Sequence, residues 1–86
     1  MIMLKDVTVR NIEHAGKVYP MILGSDVGDG HDGMYVELEN PDTETYVLTL
    51  YRNDLDGTFT FSAFEATLPL EVVEAFLREA WQELQH

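Results

Sequence analysis

The fold is decided by residues 34–64, whose sequence is MYVELENPDTETYVLTLYRNDLDGTFTFSAF. Apolar and polar residues alternate at its start, so that Met34, Val36 and Leu38 fall on one face of a strand. Alternating hydroxyl and apolar side chains at its end are typical of a strand buried on one face. Two turn signals separate the alternating runs, Asn-Pro-Asp-Thr at 40–43 and Asn-Asp-Leu-Asp-Gly at 53–57. The sequence therefore predicts a three-stranded antiparallel meander.

One or two further strands are expected before this meander. Residues 2–10 and 18–23 have strand composition. Pro20 cannot donate to a ladder, so the second of these strands is predicted to be bent or at an edge. Residues 24–33, GSDVGDGHDG, contain four of the six glycines of the chain and predict a loop. The sheet is thus expected to have four to five strands.

The C-terminal segment changes to the period of a helix. Pro69 suits the start of a helix, where its missing N–H costs nothing. The predicted helix spans 69–85, and its apolar stripe is Leu70, Val73, Leu77, Ala80 and Leu84, with Phe76 and Trp81 beside it. One amphipathic helix packed on one face of an antiparallel sheet gives an α+β fold, and residues 1–86 are expected to form a single domain.

The charge distribution is lopsided. The chain has 16 Asp and Glu against five Lys and Arg, a net charge of −11. Arg52 is the one base between residues 18 and 77. Because binding to phosphates requires cations, direct binding to nucleic acid or to an anionic membrane is not expected. The absence of cysteine favours a reducing compartment, and the expected location is the cytoplasm.

The acids of the first predicted hairpin are candidates for partner binding. Tyr35 alternates onto the same strand face as Glu37 and Glu39, and Asp42 and Glu44 extend the row of carboxylates. Such a row can imitate a phosphate backbone, and charge complementarity speeds association with a basic protein. The first hypothesis is therefore a small acidic binding or inhibitor protein that occupies a basic, nucleic-acid-handling partner. By size and charge this class includes anti-CRISPR-like phage inhibitors and immunity proteins of nuclease toxins.

A cation-binding module is the first alternative. Three carboxylates and an imidazole lie within residues 26–32. Hard cations are bound by several oxygen ligands, and the glycines in this segment would let the backbone bend around such an ion. The candidate ligands for Ca²⁺ are Asp26, Asp29, His31 and Asp32. The spacing does not match an EF-hand, because aligning Gly33 as its sixth residue puts glycines at the first and third positions.

A structural or dimeric accessory domain is the second alternative. It would use an exposed edge strand or a second apolar sheet face bearing Val47 and Tyr51, and the chain is expected to be a monomer or homodimer. Catalysis is not expected, because the chain has no cysteine, two serines and no nucleophile elbow. No cofactor is predicted either, since the glycine-rich stretch lacks the lysine of a phosphate-binding loop.

Overall fold

Five antiparallel strands and one helix form the computed structural model, which describes residues 7–28, 30–64 and 67–85. The elements are β1 (Val7–His14), β2 (Lys17–Gly28), β3 (His31–Asn40), β4 (Thr45–Asn53), β5 (Phe59–Ala63) and α1 (Leu70–Glu83). The strand order is β1-β2-β3-β4-β5, so each strand pairs with its neighbours in sequence and the whole sheet is a meander. The α+β prediction is confirmed. No helix in the described ranges is both long and apolar enough to span a membrane.

The core lies between α1 and one face of the sheet. Strand register places Leu38 between Met21 and Leu48, and Val36 is paired with Leu50. Phe61 of β5 is opposite Leu50 as the alternation predicts, but it is exposed, whereas Phe59 packs against the core. The fully buried side chains are Phe76, Met21, Leu38, Leu84, Val36 and Val72. Alternation along the central strands therefore places apolar residues on the sheet face that the helix covers.

The helix is rotated relative to the stripe that the sequence predicts. Val72, Phe76 and Ala80 are its buried residues, spaced four apart. Leu70 and Leu77 were expected in the core, but they are 67% and 37% exposed. The apolar residues of α1 cover two adjacent stripes, and periodicity alone does not choose between them.

Two polar contacts join the helix to the sheet. Arg10 on β1 forms an ion pair with Glu79. Arg52 on β4 donates to the carbonyl oxygen of Leu84 at 2.6 Å, at the C-terminal end of the helix. These contacts join α1 to β1 and to β4, and Val72, Phe76 and Ala80 lie against the core.

Most of the glycine-rich residues 24–33 lie in strands rather than in a loop, since β2 extends to Gly28 and β3 begins at His31. β2 and β3 pair without interruption from Gly24 opposite Tyr35 to Gly28 opposite His31. Two of these glycines allow the side chain of another residue to approach the backbone closely. A Cβ atom at Gly33 would lie 2.4 Å from the Tyr51 hydroxyl oxygen, and one at Gly28 would lie 2.9 Å from Cε1 of His31. The loop prediction was wrong because glycine also permits close packing within a strand.

The N-terminal hairpin is shifted along the chain relative to the prediction. β1 continues to His14, beyond the expected end at residue 10, and the expected residues 2–6 lie outside the described part. The turn between β1 and β2 consists of Ala15 and Gly16, with φ values of 49° and 80°. Two successive positive φ angles match the twist of the flanking strands, so a two-residue hairpin forms.

Pro20 lies in β2, which is an interior strand. Its partner is Asn11 on β1, and the ladder with β3 begins one residue later, at Met21 opposite Leu38. Pro20 therefore sits where β2 pairs on one side only, as its missing N–H requires. The predicted edge position holds for this residue although not for the strand.

A bulge in β4 separates Val47 from Tyr51. The register shifts between Leu38 and Glu39, so Leu38 is opposite Leu48 whereas Glu39 is opposite Tyr46. Val47 is the extra residue of the bulge and is buried in the core. The second apolar face that was expected to carry Val47 and Tyr51 together is therefore not formed.

The observed rotation of α1 predicts two different mutational costs. Phe76→Ala should lower the free energy of unfolding by about 3–5 kcal/mol, because it removes a buried ring and leaves a cavity. Leu70→Ala removes an exposed side chain of the predicted stripe and should change the free energy of unfolding by less than about 0.5 kcal/mol. Urea denaturation followed by circular dichroism measures both. Equal losses in the two variants would contradict the rotation.

Candidate interaction surface

The outer face, defined here as the sheet face pointing away from α1, is the candidate site. Along each strand, the residues of the outer face alternate with the core residues, and their side chains point in the opposite direction. It carries Glu13, Asp26, His31, Tyr35, Glu37, Glu39, Thr49 and Tyr51. Tyr35 and Glu37 thus share a face, as the sequence predicted, with Val36 and Leu38 on the other side.

Two tyrosines lie at the centre of the outer face. Tyr35 on β3 is directly opposite Tyr51 on β4, and both are half-buried. The Tyr51 ring extends over Gly33, which has no side chain to displace it. Sequence reasoning did not find this pair. The signal was the glycine in an otherwise regular strand, which indicates a close approach.

The surroundings of Tyr51 are negatively charged. Burial raises the pKa of Tyr51, and the carboxylates of Asp26, Asp54, Asp32 and Asp56 raise it further, because they oppose a phenolate. Asp56 stays ionised, since the hydroxyl and the N–H of Thr58 donate to its Oδ1 and lower its pKa. The aspartates around Tyr51 therefore disfavour ionisation of its hydroxyl group.

The predicted row of partner-binding acids is brought together only in part. Thr49 donates to Oε2 of Glu37 at 3.3 Å, and Glu39 follows on the same face. Asp42 lies in the turn after β3, where it forms an ion pair with Lys17. Glu44 is exposed in the same turn with a φ of 56°. Glu37 and Glu39 therefore belong to the outer face, while Asp42 and Glu44 lie at its end.

The basic side chains lie elsewhere and contact carboxylates. Arg10 contacts Glu79, Lys17 contacts Asp42, Nε of Arg52 is 2.6 Å from Oδ1 of Asp54, and Nε of Arg78 is 3.6 Å from Oε2 of Glu79. Within residues 7–28, 30–64 and 67–85, no Lys or Arg occupies an outer-face position. Among the described residues, the outer face thus carries carboxylates, tyrosines and His31, whereas Lys and Arg lie off it.

The residues predicted to bind a cation are only partly assembled. Nδ1 of His31 lies 3.1 Å from Oδ1 of Asp26, and both occupy the outer face. Asp32 is opposite Val27 and so points to the other face. Asp29 lies outside the described residues. Among the residues that the structure describes, no three His, Asp or Glu side chains are grouped to hold a metal ion.

Comparisons with known proteins identify no relative. No protein-family model matches the chain, and no significant match exists among curated proteins or solved structures. The geometry and charge of the outer face are therefore the basis for assigning a function.

The environment of Tyr51 predicts a loss of stability at high pH. Its pKa is higher in the folded chain than the value of about 10 in an unfolded one. The stabilising contribution is complete below about pH 10 and is lost as pH rises through the folded pKa. Between about pH 9 and about pH 11, wild type should lose more unfolding free energy than Tyr51→Phe. Urea denaturation at both pH values measures the difference, and equal losses would contradict the assignment.

Proposed function

We propose that this chain is a small acidic binding protein that occupies a basic protein partner through its outer face. One observation carries the proposal: the outer face combines carboxylates with two adjacent tyrosines, while the described Lys and Arg side chains lie elsewhere. A regular sheet also holds Glu37 and Glu39 about 7 Å apart, at about 3.4 Å per residue.

The two kinds of side chain have different roles in this proposal. Carboxylates steer a basic partner to the surface and raise the association rate. Tyr35 and Tyr51 supply large, rigid contact area, and tyrosine is among the residues that contribute most to binding energy at interfaces. In this proposal the acids raise the rate of association, and the tyrosines lower the rate of dissociation.

The partner class follows from the charge. A protein surface that accepts a row of carboxylates is one that is basic enough to hold nucleic-acid phosphates. Binding there would block nucleic acid, which is the action of an inhibitor such as an anti-CRISPR-like protein or a nuclease immunity protein. The cytoplasm is the proposed location, consistent with the lack of cysteine.

Charge reversal on the outer face tests the proposal. The immobilised chain is incubated with nuclease-treated cell lysate, and proteins released by rising salt are identified by mass spectrometry. Glu37→Lys with Glu39→Lys should weaken binding of the captured basic protein at least tenfold, about 1.4 kcal/mol. Wild type should also displace nucleic acid from that purified protein in a mobility-shift assay.

A matched variant separates local from overall charge. Glu71→Lys with Glu74→Lys reverses two exposed acids on α1 and makes the same change, from −11 to −7, in net charge. This variant should retain affinity within about threefold, a loss of less than 1 kcal/mol. Circular dichroism confirms that both variants are folded. Equal weakening in the two variants, or none in either, would refute an outer-face site.

A further inference from the structure

The two edges of the sheet are built differently. β1 carries Arg10 and Glu13 and has an irregularity between Thr8 and Arg10. Charges and bulges on an edge strand prevent pairing with another chain. β5 has the sequence FTFSA, which contains no charged residue, and its five pairs with β4 follow a regular register. The β5 edge therefore lacks these protective features.

The backbone of β5 presents polar groups to this edge. The N–H of Phe64 donates to Val47, and the carbonyl of Thr58 accepts from Asn53, so even-numbered residues bond to β4. In an antiparallel ladder the alternate residues point the other way. The N–H and C=O groups of the odd-numbered residues 59, 61 and 63 thus face outward, and in the described ranges β5 pairs with β4 alone.

An apolar shelf, defined here as Phe61, Leu77 and Trp81, accompanies the same edge on the helix side. Five strands span about 19 Å and a helix about 10 Å, so one helix cannot cover the whole sheet. α1 packs on β1, β3 and β4. The three shelf residues are 44%, 37% and 48% exposed, and the Trp81 ring centroid lies 4.6 Å from that of Phe59. The shelf is therefore an apolar surface that the described chain leaves open to solvent.

The outer-face side of the same edge is uncharged. Thr60 and Ser62 are its β5 residues, and Tyr51 and Thr49 lie behind them on β4. Glu37 lies on β3, two strand spacings or about 10 Å from β5. A partner selected by positive charge therefore finds no carboxylate among the described β5 residues or their β4 partners on this face. Hydroxyl side chains instead favour hydroxyl side chains across a strand pair.

The sequence of β5 is self-complementary in an antiparallel pair. With Phe61 of one copy opposite Phe61 of another, Phe59 is opposite Ala63 and Thr60 is opposite Ser62. The outward N–H and C=O groups then form hydrogen-bonded pairs. A large ring meets a methyl group, beside which lies a recess of about 630 Å³ lined in part by Ala63. Each copy thus contacts the other with the same residues, as a two-fold interface requires.

The apolar area at this edge is large enough for a weak dimer. Phe61, Phe64 and Trp81 are each about half exposed, so they offer about 300 Å² per copy, at about 200 Å² for a whole aromatic side chain. Two copies offer about 600 Å², to which Leu77 and the strand edges add. A specific interface needs about 1,000 Å² in total. The expected dimer therefore lies at the lower limit of specific interfaces and dissociates on dilution.

The negative charge of the chain opposes this pairing only weakly. Between β3 of one copy and β3 of the other there would be five strand spacings, about 24 Å. The Debye length is about 8 Å at physiological ionic strength, so repulsion between the carboxylates of the two outer faces is screened. A second copy therefore matches the β5 edge in polarity, in side-chain size and in the absence of charge.

We propose that two copies of this chain pair through their β5 strands about a two-fold axis next to Phe61. Paired residues point to the same side of a sheet, so the dimer is one sheet of ten strands, five from each copy. Both helices lie on one side of this sheet, and both outer faces lie on the other. The inference goes beyond the proposed function, because pairing uses β5 and presents the outer face twice.

Sedimentation velocity of the full chain, from micromolar to millimolar concentration, tests for the dimer. A reversible change from monomer to dimer is expected, with a blue shift in the emission of Trp81, the only tryptophan. Higher salt should not weaken the dimer, because apolar contacts and main-chain hydrogen bonds form it. Glu37→Lys with Glu39→Lys should dimerise at least as tightly as wild type, since both positions lie on β3.

Two substitutions at one position test the strand edge itself. Ala63→Pro removes an outward N–H without breaking the ladder to β4, and the side chain of Ala63 is exposed. This variant should raise the Kd of the dimer at least about tenfold. Ala63→Ser keeps the N–H and should dimerise within about twofold of wild type, and urea denaturation checks that both variants unfold cooperatively.

Introduced cysteines test the register, because the chain has no cysteine of its own. Thr60 and Ser62 of different copies would form a non-hydrogen-bonded pair with Cα atoms about 4.5 Å apart, which permits a disulfide. An equimolar mixture of Thr60→Cys and Ser62→Cys should therefore oxidise to a covalent dimer of both chains. In either variant alone the two Cα atoms would lie about 8 Å apart, so crosslinking should be at least about fivefold slower.

Three outcomes would overturn the inference. The first is a wild-type chain that stays monomeric at every concentration. The second is a dimer that folded Ala63→Pro leaves unchanged, or that dissociates as salt is raised. The third is crosslinking of a single cysteine variant as fast as that of the mixture, which would also decide the case if Ala63→Pro did not fold. If dimerisation fails but Glu37→Lys with Glu39→Lys still abolishes capture, the proposed function stands without this inference.

Discussion

A single helix of 14 residues has to close one face of a five-stranded sheet, and the rest of the molecule depends on this constraint. Phe76 and its neighbours one turn away, Val72 and Ala80, bury the central strands around Val36 and Leu38. The opposite face receives no helix from the described chain and stays polar, as antiparallel sheets permit. The β5 side is also only partly covered, because the helix is narrower than the sheet.

Two of the described bases join the helix to the sheet. Arg10 ties β1 to the helix through Glu79, and Arg52 joins β4 to the helix end at Leu84. Ion pairs of exposed side chains contribute little stability, so burial of the apolar residues of α1 remains the main stabilising term. Among the described residues, Arg and Lys therefore lie on the helix side of the sheet or on the helix, whereas Glu37 and Glu39 lie on the outer face.

Glycine shows where local sequence rules fail for this chain. The run from 24 to 33 has the composition of a loop, and a cation-binding loop was one hypothesis for it. The structure instead uses Gly33 to admit the Tyr51 ring and Gly28 to admit the His31 ring. Whether glycine marks a turn or a close approach depends on residues far away in sequence. Tyr51 belongs to a different strand from Gly33, so no local window contains this information.

The sequence by itself determined the α+β class, the strands of the central meander and the common face of Tyr35, Glu37 and Glu39. These follow from alternation and from turn residues, which act over a few positions and are visible in the chain. The tertiary structure alone decided the rotation of α1, the burial of Val47 and the Tyr35–Tyr51 pair. It also decided that the described Lys and Arg residues lie off the outer face and that β5 forms an edge. These features depend on contacts between distant segments, because a bulge, a long-range ion pair or the position in a sheet is set by packing rather than by local pattern.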